Sequence, residues 1–168
     1  MLDIPRQASN SFDQVVRDRE TRVLRAAYRI LGNWADAEDV AQEVFLRLHR
    51  HGLSFPSDAA FGSWLYRVTV NLCLDRTRSA RTSAEMPELL STDHSAEAAA
   101  IRDEDTSRLV AALATLPPRE RAAVVLREIE GLSTSEVAAV MGSAEATVRS
   151  QVAKAISKLR EILSRQER

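Results

Sequence analysis

Several groups of side chains in this sequence have the types and spacing to do chemistry. Asp36, Glu38 and Asp39 crowd three carboxylates into four consecutive positions. Such a set can hold a cation, but it lacks the alternating loop spacing of a calcium site. His49, His51 and His94, with Cys73, offer nitrogen and sulfur ligands. The two neighbouring histidines are two residues apart, so they do not share a helix face, and no zinc site is expected. Gly62-Ser63-Trp64 places a serine after a glycine, but the second glycine of a nucleophile elbow is missing. There is no phosphate-cradling glycine loop and no His-Glu-x-x-His. The sequence therefore predicts no enzyme, no metal and no cofactor, and what remains is binding chemistry.

The binding candidates fall in separate places. Trp64, Tyr66, Arg67 and Asn71 mix rings with a cation and an amide. That combination suits single-stranded DNA, where rings stack on bases and arginine meets phosphate. The alternative is a buried tryptophan beside solvated arginines. Leu46 points away from the Val40–Val44–Leu48 stripe and Phe45 lies on its flank, with Glu38, Asp39, Gln42 and Glu43 around them, which suggests a partner surface with an acidic rim. The alternative is that Leu46 packs within its own domain while the carboxylates complement a helix N-terminus. Near the C-terminus, Ala146, Ser150, Ala153, Lys154 and Ser157 point outward, with Thr147 and Arg149 on the flanks, from a helix whose inner stripe is Val148, Val152, Ala155, Leu159 and Ile162. Small and polar groups there allow close approach to bases and phosphates.

The elements that must position these groups are all helical. Ala, Leu, Arg and Glu dominate, and Gly and Pro are scarce, with five of each. Ser11 and Gln14 resemble a capping box opening a first helix that Gly32 ends. Asp36 is the expected cap of a second helix, closed by Gly52. A third runs from about Asp58 to Arg78, with Phe61, Leu65, Val68 and Leu72 inward and Tyr66, Arg67, Val70 and Arg78 outward. After Pro117-Pro118, a helix carrying Ala122, Val125, Leu126 and Ile129 runs to Gly131. Ser133 and Glu136 form a capping box for a very short helix, Gly142 supplies the turn, and Ser143 is placed to cap the last helix. Short helix, glycine turn and longer helix make a helix-turn-helix, whose second helix enters a major groove. A solvated helical hairpin is the alternative.

Charge divides the chain. Its formal net charge is −1, yet residues 1–81 carry +2, residues 82–107 carry −6 and residues 108–168 carry +3. The acidic segment is rich in Ala, Ser and Thr, contains Pro87 and has little apolar periodicity, so it reads as a flexible linker between two small helical domains. The fold class expected is all-α. No apolar run is long enough to span a bilayer, and Met1 to Asn10 has no apolar core of a secretory signal. The single cysteine fits a reducing compartment, and a cytoplasmic location is expected.

At this point the residues resemble a known family. The run from Tyr28 to Leu48, centred on Asp36-Ala-Glu-Asp-Val-Ala-Gln-Glu-Val-Phe45, and the run Phe61-Gly-Ser-Trp-Leu-Tyr-Arg-Val-Thr-Val-Asn71 look like region 2 of extracytoplasmic-function (ECF) sigma factors. Leu116-Pro-Pro-Arg-Glu-Arg121 and Gly131 through Arg160 look like region 4. The resemblance implies that Asp39, Gln42, Glu43 and Phe45 dock on the clamp helices of the RNA polymerase core. It implies that Phe55, Trp64, Tyr66, Arg67 and Asn71 melt and read the −10 element of promoter DNA. Arg149, Ser150 and Lys154 would read the −35 element as duplex. An anti-sigma factor is the implied inhibitor. The chain departs from the family where Gln151, Lys154 and Ile156 stand at positions that are often basic, which weakens the electrostatic share of duplex binding. The competing readings are a helix-turn-helix regulator that binds duplex DNA without polymerase, and a sigma mimic that binds partners without driving transcription.

Overall fold

The structure is a computed structural model that describes residues 6–82 and 103–166. Most of the expected acidic linker, with Pro87 and His94, lies outside the described residues. Among those described, all regular structure is helical.

The first block holds three helices: α1 (Arg6–Leu31), α2 (Trp34–His51) and α3 (Asp58–Thr82). Helix α1 starts earlier than Ser11, because Arg6 to Asn10 contains no Gly or Pro to stop it. Gln14 therefore makes no cap, and its Nε2 donates to Asp18 across one turn at 2.9 Å. Gly32 closes α1 at φ +74°. Helix α2 is capped by Asn33, whose side chain accepts from the Asp36 amide at 3.0 Å, and not by Asp36 itself. Starting at Asn33 brings Trp34 into the core, edge-on to Tyr28 at 5.3 Å. The Trp34 indole N–H donates to Glu38 at 2.7 Å, so the ring is buried without an orphaned donor.

The expected inner stripe of α2 is buried, with Val44 and Leu48 fully so. In α3, Phe61 and Leu65 are buried as expected, but Val68 and Leu72 are only partly covered. Val70, expected to face outward, is fully buried, as is Cys73. The reason is that α3 packs on α1 and α2 along one side and on a helix of the second block along another.

The second block contains α4 (Glu104–Ala114), α5 (Pro118–Val124), α6 (Thr134–Met141) and α7 (Glu145–Gln166). Asp103 caps α4 by accepting from the Thr106 amide, and this contact holds the Asp103 carboxyl below its ordinary pKa. Pro118 sits in the first turn of α5, as its missing N–H and fixed φ favour. Helix α5 then widens into a π-helical turn over Val125–Ile129, where the Glu130 amide reaches back to the Val125 carbonyl. The apolar spacing had suggested one uninterrupted helix to Gly131. The Ser133–Glu136 capping box is reciprocal, at 2.7 and 3.2 Å. Gly142 is left-handed at φ +61°, ψ +39°, and the Ser143 amide bonds back to Ala138, ending α6 tightly. Ser143 does not cap α7, and its hydroxyl accepts from Arg119 at 3.0 Å instead.

The two blocks share one apolar core that runs from Val23 to Ala155. Helix α1 packs on α4 and α3 packs on α6. A buried arginine, Arg121, crosses between the blocks and donates to Ile30 O at 2.7 Å, Leu116 O at 2.8 Å and Ala114 O at 3.0 Å.

Candidate protein-docking and nucleic-acid surfaces

Along α2, Asp39, Gln42, Glu43 and Leu46 follow helical spacing and lie on one side of the helix. Asp39 and Gln42 are exposed, Glu43 is half-buried, and Leu46 is 53% exposed, unusual for so large an apolar side chain. The acidic groups are held in place. Arg76 of α3 bridges Asp36 at 3.1 Å and Asp39 at 2.9 Å, and Glu43 pairs with Arg47 one turn on at 2.9 Å. Phe45 turns partly inward. With Leu46, Phe12, Val16, Trp34 and His49 it lines a groove of about 700 Å³ between α1 and α2. Leu46 thus stands at the lip of an apolar groove beside an acidic stripe.

The loop from α2 to α3 carries an aromatic cluster. The ring of Phe55 stacks on His51 at 4.8 Å and 13°, and both approach Trp64, at 5.8 and 5.1 Å. Phe61, under the Arg19 guanidinium, packs on Phe55 from below. Phe55 and Trp64 are therefore brought together, half-buried, with exposed His51 over them. Trp64, Arg67 and Asn71 share a side of α3 by helical spacing, and Arg67 and Asn71 are exposed.

Tyr66 lies on a different side and faces the second block. Its hydroxyl donates to Glu130 at 2.8 Å. Burial, with the Glu130 carboxylate as acceptor and nearby negative charge, raises the Tyr66 pKa well above the ordinary phenol value. Arg67 reaches the Ala139 carbonyl at 3.5 Å.

In the second block, α6 and α7 cross at Gly142 with Arg149, Ser150 and Lys154 all exposed on the outer side of α7. Arg119 fixes the turn by donating to Met141 O at 3.1 Å as well as to Ser143. A shallow groove beside this helix is lined by Pro118 and Arg119 at the start of α5 and by Thr147, Ser150 and Lys154 of α7. Lys154, Arg119 and the hydroxyls of Thr147 and Ser150 line it together with the Glu120 carboxylate, and the cations and hydroxyls are groups of the kind that contact phosphate.

Some of these residues escaped sequence reasoning. Arg76 and His51 look like ordinary surface residues until α3 and the loop are folded against α2. Arg121 did carry a signal, since it stands four residues before Val125 on the apolar side of α5. Among the described residues, no group of three or more His, Cys, Asp or Glu is poised to hold a metal ion.

A helical block with an acidic, partly apolar exposed face, joined to a helix-turn-helix, is the class of protein that the fold and surfaces define. The matches to known families are specific on this point. Sigma-70 region 2 matches residues 15–82, and Sigma-70, region 4 matches residues 106–159. The chain is 40% identical to the ECF RNA polymerase sigma factor SigE of Mycolicibacterium smegmatis, across 94% of this chain and 63% of that protein. It is 36% identical to the ECF RNA polymerase sigma factor SigM of Mycobacterium tuberculosis, across 91% of this chain and 77% of the relative. Among solved structures, CnrH in complex with the cytosolic domain of CnrY is similar at 26% identity and TM-score 0.67, covering 93% of this chain and 89% of the other. The sigma factor RpoE of Bartonella quintana shares the fold at 23% identity and TM-score 0.73, covering 92% and 97%. The chain belongs to the sigma-70 family of RNA polymerase sigma factors, and within it to the ECF group.

Proposed function

We propose that this protein binds RNA polymerase core and directs it to specific promoters. The observation that carries the reading is α2, with one side buried to completion and the other presenting Asp39, Gln42, Glu43 and the exposed Leu46. A surface with an apolar centre and a charged rim is built to be covered by another protein. The first domain, 1–81, docks on the core through this stripe and Phe45. Phe55 and Trp64 capture displaced bases of the −10 element, with Tyr66, Arg67 and Asn71 completing the contact. The second domain, 108–168, reads the −35 duplex through Arg149, Ser150 and Lys154, and residues 82–107 tether the two. The protein acts in the cytoplasm, where promoter DNA is, and carries out no catalysis of its own. Among the described residues, no helix is long and apolar enough to cross a membrane.

An anti-sigma protein that covers Leu46 and the adjacent groove would hold the factor inactive. Run-off transcription tests the central claim. Core plus this chain is expected to start at defined sites in a genomic promoter library, and core alone is not. Sequence-specific duplex binding without core, and no run-off product with it, would identify a conventional regulator instead.

A further inference from the structure

The aromatic cluster in the loop before α3 has a layered order, and the order decides which ring a nucleobase can reach. Phe55 is half-buried. The His51 imidazole lies nearly parallel over it, at 4.8 Å and 13°. Phe61 and Trp64 crowd the rest of the Phe55 ring at 4.9 and 5.8 Å, tilted by 40° and 59°. A planar ligand is left no free face of Phe55 to stack on. His51 itself is exposed, resting on Phe55 and flanked by Trp64 at 5.1 Å. The side of the imidazole turned away from Phe55 is what solvent meets. We propose that His51 is the ring on which a displaced base stacks, and that Phe55 and Trp64 are the layers that hold it in place. The inference rests on the reading of this loop as the part that captures the melted strand.

The imidazole is also held at a fixed angle. His51 is the last residue of α2, and Gly52 ends the helix at φ +82°. The chain turns there, and His51 Nδ1 meets the Gly52 carbonyl oxygen at 3.0 Å. A carbonyl only accepts, so Nδ1 carries a proton and donates it. That bond, the stacking on Phe55 and the flank of Trp64 together restrain both side-chain torsions. A ring ordered in advance loses less freedom when a base arrives, so more of the stacking free energy appears as affinity. Every base has a π-face, so the contact favours unpaired strand over duplex without choosing a sequence. Bases within a duplex are stacked on their neighbours and have no face to give. The competing role for His51 is a cover that keeps water off Phe55, which any apolar side chain of similar size could fill.

The test uses the full chain with polymerase core on a promoter recovered by run-off, prepared as a bubble template with 2-aminopurine at successive positions of the melted strand. Template affinity and 2-aminopurine quenching are both read. His51→Ala is expected to weaken bubble binding roughly 5- to 100-fold, the scale of one base–ring stack, and to abolish quenching at the position that meets the ring. His51→Phe restores a ring and should recover both. His51→Leu covers Phe55 but has no π-face, so it should behave like His51→Ala. Affinity for fully paired promoter should change little in all three. Circular dichroism confirms that each variant is folded, as expected for an exposed residue at a helix end. Recovery by leucine equal to that by phenylalanine overturns the stacking role and leaves only a cover. Unchanged or stronger quenching in His51→Ala also overturns it, because the base then sits on Phe55. Failure of the native chain to give any run-off product would instead reject the sigma-factor reading. The same variants are then read by anisotropy of a dye-labelled single strand with the chain alone, where loss by alanine and leucine but not phenylalanine still supports the stack, and equal affinity in all three overturns it.

Discussion

Replacing Arg121 with methionine tests how the blocks are joined. The side chain is 9% exposed and donates to carbonyls of Ile30, Leu116 and Ala114 at 2.7 to 3.0 Å. These carbonyls lie at or just beyond the C-terminal ends of α1 and α4, where helices leave acceptors without internal partners and where positive charge is favoured. Methionine matches the stem in bulk but donates nothing. Each stranded carbonyl costs about 1–3 kcal/mol, an upper sum that relaxation and the avoided burial of a charge reduce. Breaking a buried charged network by removing one member typically costs about 3–5 kcal/mol, and that is the expected loss here. With a urea slope near 2 kcal/mol/M, the midpoint should fall by about 2 M. Far-UV circular dichroism during urea unfolding measures it. Because Ile30 belongs to the first block and the other acceptors to the second, the variant should also broaden or split a single transition. Arg121→Lys keeps the charge but not the planar fork, so it should recover only part of the loss. A loss below about 1 kcal/mol for Arg121→Met would refute the accounting, since one unsatisfied carbonyl already costs that much.

Other expectations follow from the surfaces. Glu43→Lys and Leu46→Asp should weaken binding to polymerase core in a fluorescence titration while changing stability by only about 0.5 kcal/mol, because both side chains are at least partly exposed. Unchanged core affinity would contradict the docking face. Phe55→Ala and Asn71→Ala should impair promoter opening, read by permanganate reactivity, more than duplex binding, with roughly 1–3 kcal/mol at stake for a lost stacking contact. Stability should also fall in alkali. Burial pushes the Cys73 thiol from 9.0 up to about 12, and Tyr66 is raised from 10.0. Both groups hold their protons more tightly when folded, so above these ordinary values the native state binds more protons than the unfolded chain, and stability declines as pH rises. Below pH 9 both contributions are fully present. Tyr66→Phe should remove the phenol share of the alkaline loss, and urea midpoints from pH 8 to pH 11 measure it. A flat profile in the native chain would contradict both assignments.

Much of the candidate site's exposed geometry was legible before folding because it is local. The α2 stripe, the outward Leu46 and the outer side of α7 follow from helical spacing alone, since any helix with those apolar positions must turn the other residues outward. The Ser133–Glu136 cap and the Gly142 turn are likewise set within a few residues of chain. Cap positions were harder. Asn33 and Asp36 are both good caps, and the choice between them was made by the burial of Trp34 against Tyr28. Ser143 lost its expected role to Arg119, a side chain from another helix.

By itself, the sequence determined an all-helical chain, the residues that make up each helix face, a helix-turn-helix and an acidic stretch between two blocks. These depend on backbone propensity and periodicity, which act over a turn or two. Only the tertiary structure decided that Val70 is buried, that Arg121 bridges the blocks, that Arg76 braces the acidic stripe and that Tyr66 meets Glu130. Each of these joins residues between 37 and 91 positions apart, or depends on a helix gaining a second neighbour. No periodicity encodes which surface will lie opposite, so a valine on the far side of α3 reads as exposed until another helix covers it.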